Sequence, residues 1–332
     1  MRLLALALFL SFWPGFNMSI LFADLEIDDA ASVTGVQLVQ RAGQAQLLLA
    51  RGSSLFETTP GKARGLTPAG SVGSPASWDA KPLAEVPGVL ATVHVQSESA
   101  VAWAMLRAPE FHGDSRLHPE TFAVYDHPRF VRGQRRDQWA VTAVRYDNGR
   151  SIPTVFPREA FGPTGPQAPQ SIEVGSFAQP VQDMRLVQVG NGFWLLVLVA
   201  DPAAAQDRQP RQLAAGSRMP GALLVQQFDA ALQAISQPTA LLGTVPVYEF
   251  EADAGPADGL VIFATTPEGV VYASGKPDPA KALPAGTVHQ TKVDRLLVSP
   301  AVLVQGGQAH LAALADAATP KAAVLHGTVP VR

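Results

Sequence analysis

LLGTVPVY, Leu241 to Tyr248, returns in altered form at the carboxyl end as LHGTVPVR, Leu325 to Arg332. Such a recurrence asks whether the chain is assembled from copies of one unit, and the neighbouring sequence answers in the same direction. VQRAGQAQLLLAR (Val39 to Arg51) resembles VQGGQAHLAALAD (Val304 to Asp316), and VQVGNGFWLLVLVAD (Val187 to Asp201) aligns with the latter at Gly192 and Gly307. Each reads as strand, tight polar turn, strand. VHVQSESAVAWAML (Val93 to Leu106), AVRYDNGRSIPTVF (Ala143 to Phe156) and YEFEADAGPADGLVIF (Tyr248 to Phe263) fit the same template with less identity. Taking Gly43, Ser99, Asn148, Gly192, Asp258 and Gly307 as equivalent turns gives spacings of 56, 49, 44, 66 and 49 residues. A period near fifty residues belongs to propeller arrays.

Within a unit four strands can be counted. The fourth gives MRLVQV, FWLLVLVA, GALLVQQFD and ISQPTALLG; the fifth gives VPVYEFEA, GLVIFATT, GVVYAS and TVHQTK. A lone four-stranded sheet with two apolar faces cannot bury both, whereas sheets set around an axis cover one another. The 28 Gly and 28 Pro, spaced at short intervals between aliphatic runs, favour short strands over helices. The expected fold is therefore all-β, a six-bladed β-propeller of four-stranded antiparallel blades over residues 24–332. The approximate blades are 33–85, 86–137, 138–180, 181–243, 244–290 and 291–332. GTVPV is read as the link between one blade's outer strand and the next blade, and DLEIDD, Asp24 to Asp29, as the source of a closing strand. The alternative is two β-sandwich domains divided near Gln179, after the Pro-rich run FGPTGPQAPQ. The pattern resembles bacterial extracytoplasmic β-propellers as a class. That resemblance covers architecture alone, because the Trp-Asp endings, kelch double glycines and quinone-docking tryptophans of familiar propellers are missing from the chain.

The first 23 residues, MRLLALALFLSFWPGFNMSILFA, place Arg2 ahead of an apolar run and Ala23 at a small-residue cleavage point, the anatomy of a signal peptide. The competing reading is an uncleaved membrane anchor, which Pro14, Gly15 and Asn17 weaken. The protein is accordingly expected in the periplasm or secreted, touching a membrane only if this segment is retained. With no Cys, stability must come from burial rather than disulfides. A net charge of -3 with 16% charged residues excludes a general nucleic-acid footprint.

Ionisable groups are densest between Arg107 and Trp139. His112, Asp114, His118, Glu120, Asp126 and His127 lie there, followed by Arg129, Arg132, Arg135 and Arg136. Imidazole with carboxylate suits a divalent metal, and the guanidinium fork suits a carboxylate or phosphate. The spacing matches no metal signature, and six Arg face five acids in Arg107–Asp137, so the expected form is a solvated outer strand and loop that offers a partner surface. No cofactor and no metal are called for. YDNG (Tyr146 to Gly149) and DAGPADG (Asp253 to Gly259) read as hairpin turns. His310 and His326 read as core or inter-blade histidines that approach one another if the strands converge. No Gly-x-Ser-x-Gly elbow and no helical HExxH occurs. The functional expectation is a non-catalytic binding or scaffold module for an envelope protein, peptide or polysaccharide. The alternative is an extracytoplasmic hydrolase or lyase working at the central channel, which inward-facing acids and histidines from three or more blades would favour.

Overall fold

Asn148 and Gly149 both have positive φ, 49° and 73°, and fold Ala140–Asp147 back onto Arg150–Pro157 with Asp147 opposite Arg150. A two-residue hairpin demands that left-handed pair, and Asn-Gly supplies it with little strain. In a computed structural model this device and its relatives recur along the chain and give an all-β protein. The structure describes residues 20–331 apart from 53, 61–65, 72–77, 83–88, 98–99, 108–109, 117–123, 134–139, 158–170, 202–210, 214–215, 279–282 and 284–287.

Among the described residues there are six four-stranded antiparallel sheets and one two-stranded ribbon, Arg211–Leu213 with Gly216–Arg218. The first sheet runs Gly35–Arg41, Gln44–Arg51, Ser54–Thr58, Thr67–Ser71, and the second Trp78–Pro82, Val89–Ser97, Ala100–Arg107, Glu110–Arg116. The third holds Val124–Phe130, Ala140–Asp147, Arg150–Pro157 and Ile172–Glu173; the fourth holds Val181–Val189, Gly192–Ala200, Gly221–Phe228 and Thr239–Ala240. The fifth comprises Glu249–Ala254, Leu260–Thr266, Gly269–Gly275 and Val288–Lys292. The sixth comprises Leu297–Gln305, Gln308–Ala315 and Ala323–Pro330, with Ala23–Leu25 as its fourth strand.

The opening strand of each sheet touches that of the next, and the sixth touches the first. The sheets are thus in a propeller-like arrangement, not two sandwiches. The sixth sheet shows why they stack. On the strand Gln308–Ala315, Ala309, Leu311, Ala313 and Ala315 pack with Val261, Phe263 and Tyr272 of the fifth sheet. Alternate residues Ala312 and Leu314 pack with Val36, Leu38, Leu47 and Leu49 of the first. Successive strand residues point to opposite faces, so a strand apolar at every position needs a neighbour on each side.

Two sequence expectations shift by one strand. Gly43, Asp258 and Gly307 sit between the first and second strands of their sheets and Gly192 opens a second strand, but Asn148, and position 99 outside the described residues, come after the second strand of theirs. The second sheet consequently opens at Trp78 rather than 86, and the third at Val124 rather than 138. The Asn-Gly hairpin is the strongest turn signal in its sheet, and it drew the register to the wrong hairpin. The two GTVPV copies also differ in role. The first lies in the link between the fourth and fifth sheets, whereas the second, up to Pro330, forms the end of the strand Ala323–Pro330. The closing strand comes from Ala23–Leu25, paired to His326, Leu325 and Val324. Of the proposed leader, residues 1–19 lie outside the described residues. Among the described residues no helix is long and apolar enough to cross a membrane.

Candidate functional site at the axis

The opening strands interrupt their apolar pattern with charges at alternate positions, which places them on one face. Asp183 and Arg185 do so in the fourth sheet, and Glu249, Glu251 and Asp253 in the fifth. Asp79 comes from the second sheet, while Arg129 is the next-to-last residue of the third sheet's opening strand and Arg132 lies just past it. A bulge re-aims that strand: register slips between Asp126 and Arg129, and His127, ahead of Pro128, has φ 51°. The sixth sheet repeats the device at Ser299 ahead of Pro300, with φ 53° and a slip between Val298 and Ala301.

These side chains form one network. Arg185 Nη1 donates to Asp79 Oδ2 at 2.8 Å and pairs through Nη2 with Glu251. Arg132 Nη2 reaches Asp79 Oδ1 at 3.1 Å, and its Nε lies 3.7 Å from Glu251 Oε1. Arg129 donates to Asp183 Oδ2 at 3.2 Å and to the Trp78 carbonyl at 2.7 Å. The Phe130 N–H completes the shell of Asp79 at 2.9 Å. Hydrogen bonds carry the linkage to the other two sheets. Gln37 of the first donates to the Trp78 carbonyl and accepts from the Ala80 N–H, each at 3.0 Å. The sixth donates its Ser299 N–H to Glu249 at 2.6 Å and its Val304 N–H to Asp253 at 2.8 Å. Val36 N–H donates to Ser299 Oγ at 2.9 Å, which joins the sixth sheet to the first.

The carboxyls of this network are driven apart. Burial alone would raise Asp79, yet Arg132, Arg185 and Arg129, with the Phe130 N–H, hold it below the ordinary carboxylate value. Burial pushes Asp253 up, and neither the Arg132 charge nor the Val304 and Ala254 N–H groups restore it. Burial works to lower Arg185, but Glu251, Asp79 and Asp183 together lift it above the usual guanidinium value. The Nε–H groups of Arg129, Arg132 and Arg185 are buried and have no acceptor among the described residues. An unpaired buried donor costs about 1–3 kcal/mol, so three at one place call for an explanation.

Of the charge-dense segment, Arg129 and Arg132 enter this network. The expectation of a solvated outer strand fails for them, since they stand at the innermost strand and are largely buried. Their partners also come from other sheets rather than from their own stretch. Asp126 Oδ2 lies 3.7 Å from His127 Nε2, beside the bulge. His112 and Asp114 fall in the strand Glu110–Arg116. His118, Glu120, Arg135 and Arg136 lie outside the described residues. Among the described residues no group of three or more His, Asp or Glu is placed to hold a metal. His310 and His326 stack at 5.7 Å on the face that the sixth sheet turns to the first.

Sequence reasoning missed Asp79, Asp183, Arg185, Glu251 and Asp253. A signal was present in SWDAKP, VQDMRLV and VYEFEADA, where lone or alternating charges interrupt apolar strands. Read together, they mark the faces turned to the axis.

No described protein family matches the chain, and no curated protein does. Solved structures do match in fold. Trypanosoma rangeli sialidase superposes with a TM-score of 0.58 at 8% identity, covering 90% of this chain and 55% of that one. The same enzyme with the inhibitor DANA gives 0.56 at 8% identity, with the same coverage. A subtype N10 neuraminidase-like protein of A/little yellow-shouldered bat/Guatemala/060/2010 gives 0.50 at 8% identity, covering 94% of this chain and 98% of that one. The chain spans about half the length of the Trypanosoma sialidases it matches. At such identity the likeness defines a propeller architecture and nothing narrower.

Proposed function

We propose that the protein is a propeller enzyme, a hydrolase or lyase of glycan chains, with its reaction centre at the axis around Asp253 and Arg132. In this reading the six sheets are six blades of one ring, and the molecule works in the periplasm or outside the cell. One observation carries it: two carboxyls influenced by the same guanidinium have opposite proton affinities, Asp79 low and Asp253 high. Environments that separate paired carboxyls in this way divide acid from base roles. Asp253, half-buried at the end of its strand, is the proton donor to a leaving oxygen. Asp79 is fully shielded and acts through Arg132, as a positioning residue.

The charge balance narrows the substrate. Arg129, Arg132 and Arg185 are matched by Asp79, Asp183 and Glu251, so these three arginines offer no unpaired positive charge. A neutral glycan suits this site better than an acidic sugar. The comparison structures support a carbohydrate-acting class through architecture, and they do not extend to sialic acid as substrate.

The test is turnover of a panel of neutral polysaccharides and aryl glycosides by the purified protein and by Asp253→Asn. Removing a general acid should lower kcat by roughly 10²–10⁴ and abolish the alkaline limb of the pH profile, with the melting temperature nearly unchanged. An Asn variant as active as the parent overturns the assignment. A second reading, a binding module for an envelope protein, peptide or polysaccharide, is favoured by how completely Asp79 and Arg185 are buried and mutually paired. Glycan binding without turnover by the parent protein would select it.

A further inference from the structure

We infer that Ile20–Leu25 belongs to the mature folded molecule, so that any leader peptidase cuts at or before the Ser19–Ile20 bond and not after Ala23. Ile20 is 5% exposed and packs with Val261, Phe263, Tyr272, Leu311 and Leu325. The Phe22 ring lies 5.8 Å from that of Phe263. Leu25 is buried on the other face, among Val36, Leu47 and Leu314. The segment therefore packs into two inter-sheet layers at once, with Ile20 and Phe22 toward the fifth sheet and Leu25 toward the first.

Backbone fit points the same way. Ala23, Asp24 and Leu25 pair with His326, Leu325 and Val324. Continuing that register, the Leu21 carbonyl comes so near Gly327 that a Cβ there would stand 2.8 Å from it. Gly327 thus accommodates chain upstream of Ala23. Leader removal adds one water across a peptide bond, leaving a carboxylate on the leader and a new amine on the remaining chain. A cut after Ala23 would take away Ile20, Phe22 and the partner of His326. The outer edge of Ala323–Pro330 would then be largely unpaired, with its N–H and C=O groups open to other chains.

The experiment compares the intact mass of the protein recovered from a cell envelope with the melting of two purified chains, one starting at Ile20 and one at Asp24. A mass that retains Ile20, cleaved upstream or not, supports the inference, together with a melting midpoint lower by ~5–10 °C for the Asp24 chain. A mass beginning at Asp24, or equal melting of the two chains, overturns it. Neither readout involves turnover, so this result stands apart from the glycan reading.

Discussion

The axis and the seam between the sixth and first sheets are joined by opposite means. From the second sheet to the fifth, the sheets are held by buried ion pairs between strands far apart in sequence, such as Asp79 with Arg185 across 106 positions. At the seam the sheets meet through Leu25, Val36, Leu47, Leu49 and Leu314, with two neutral histidines and few polar contacts. Apolar surface is indifferent to its partner, and it stabilises any close neighbour in rough proportion to area. Buried charges are selective. Arg185 is satisfied only where Asp79 and Glu251 arrive from two other sheets, so another order of sheets would strand it. The charged half thus specifies arrangement, while the apolar half supplies cohesion and depends on a strand from the far end of the chain to shut it.

Deleting the hub of the network should show this most strongly. Arg185→Met leaves Asp79 and Glu251 buried with fewer partners, and breaking a buried pair from one side typically costs about 3–5 kcal/mol. Urea unfolding should report that loss. Adding Glu251→Leu should recover part of it, because the second carboxylate no longer needs a counter-charge. If Arg185→Met unfolds like the parent, the axis holds no specifying charge and the contrast with the seam disappears.

This contrast also explains what the sequence discloses. Strand content, four strands per unit and closure by an amino-terminal strand follow from local patterns: Gly-rich turns, apolar runs and the GTVPV repeat. The sheet boundary near 124 was obscured because Asn148-Gly149 announces a hairpin without saying which hairpin of the sheet it is. The site was harder to see, for a physical reason. Each opening strand carries only a few axial charges, and the groups that neutralise them lie on other sheets. Density along the chain led to His112 and its neighbours, whereas the site is dense only in space. Arg129 and Arg132 belong to both descriptions, and they were legible as arginines without being legible as buried.

A smaller effect is expected at the seam on acidification. Burial lowers His310, and burial with the nearby His310 lowers His326 to about 4, beneath the ordinary value of 6.5. The unfolded chain therefore takes up these protons first as the pH falls. Stability present above about pH 6.5 is lost between there and 4, on the order of 1–2 kcal/mol after allowing for solvent at the half-buried rings. Asp253 acts oppositely, since its raised carboxyl favours the folded state on protonation. The difference between the parent and His326→Leu isolates the seam. Unfolding midpoints at pH 7 and pH 4.5 should converge more closely in the variant; equal pH dependence in both would remove the histidines from the account.

The smallest effect belongs to the polar clasp outside the seam. Arg295 pairs with Asp316 at 2.8 Å and Asp24 at 3.1 Å, and donates to the Lys321 carbonyl at 2.8 Å. It ties the closing strand to the sheet it completes, across 271 positions. Asp24 is mostly exposed, so water screens that pair and the whole clasp is worth about 0.5–1 kcal/mol. Arg295→Ala should lower the urea midpoint slightly in dilute buffer and less so in ~1 M salt, where exposed pairs are already screened. A loss that is large and independent of salt would mean that closure relies on this clasp rather than on Ile20, Phe22 and Leu25. The seam would then resemble the axis in being held by charge.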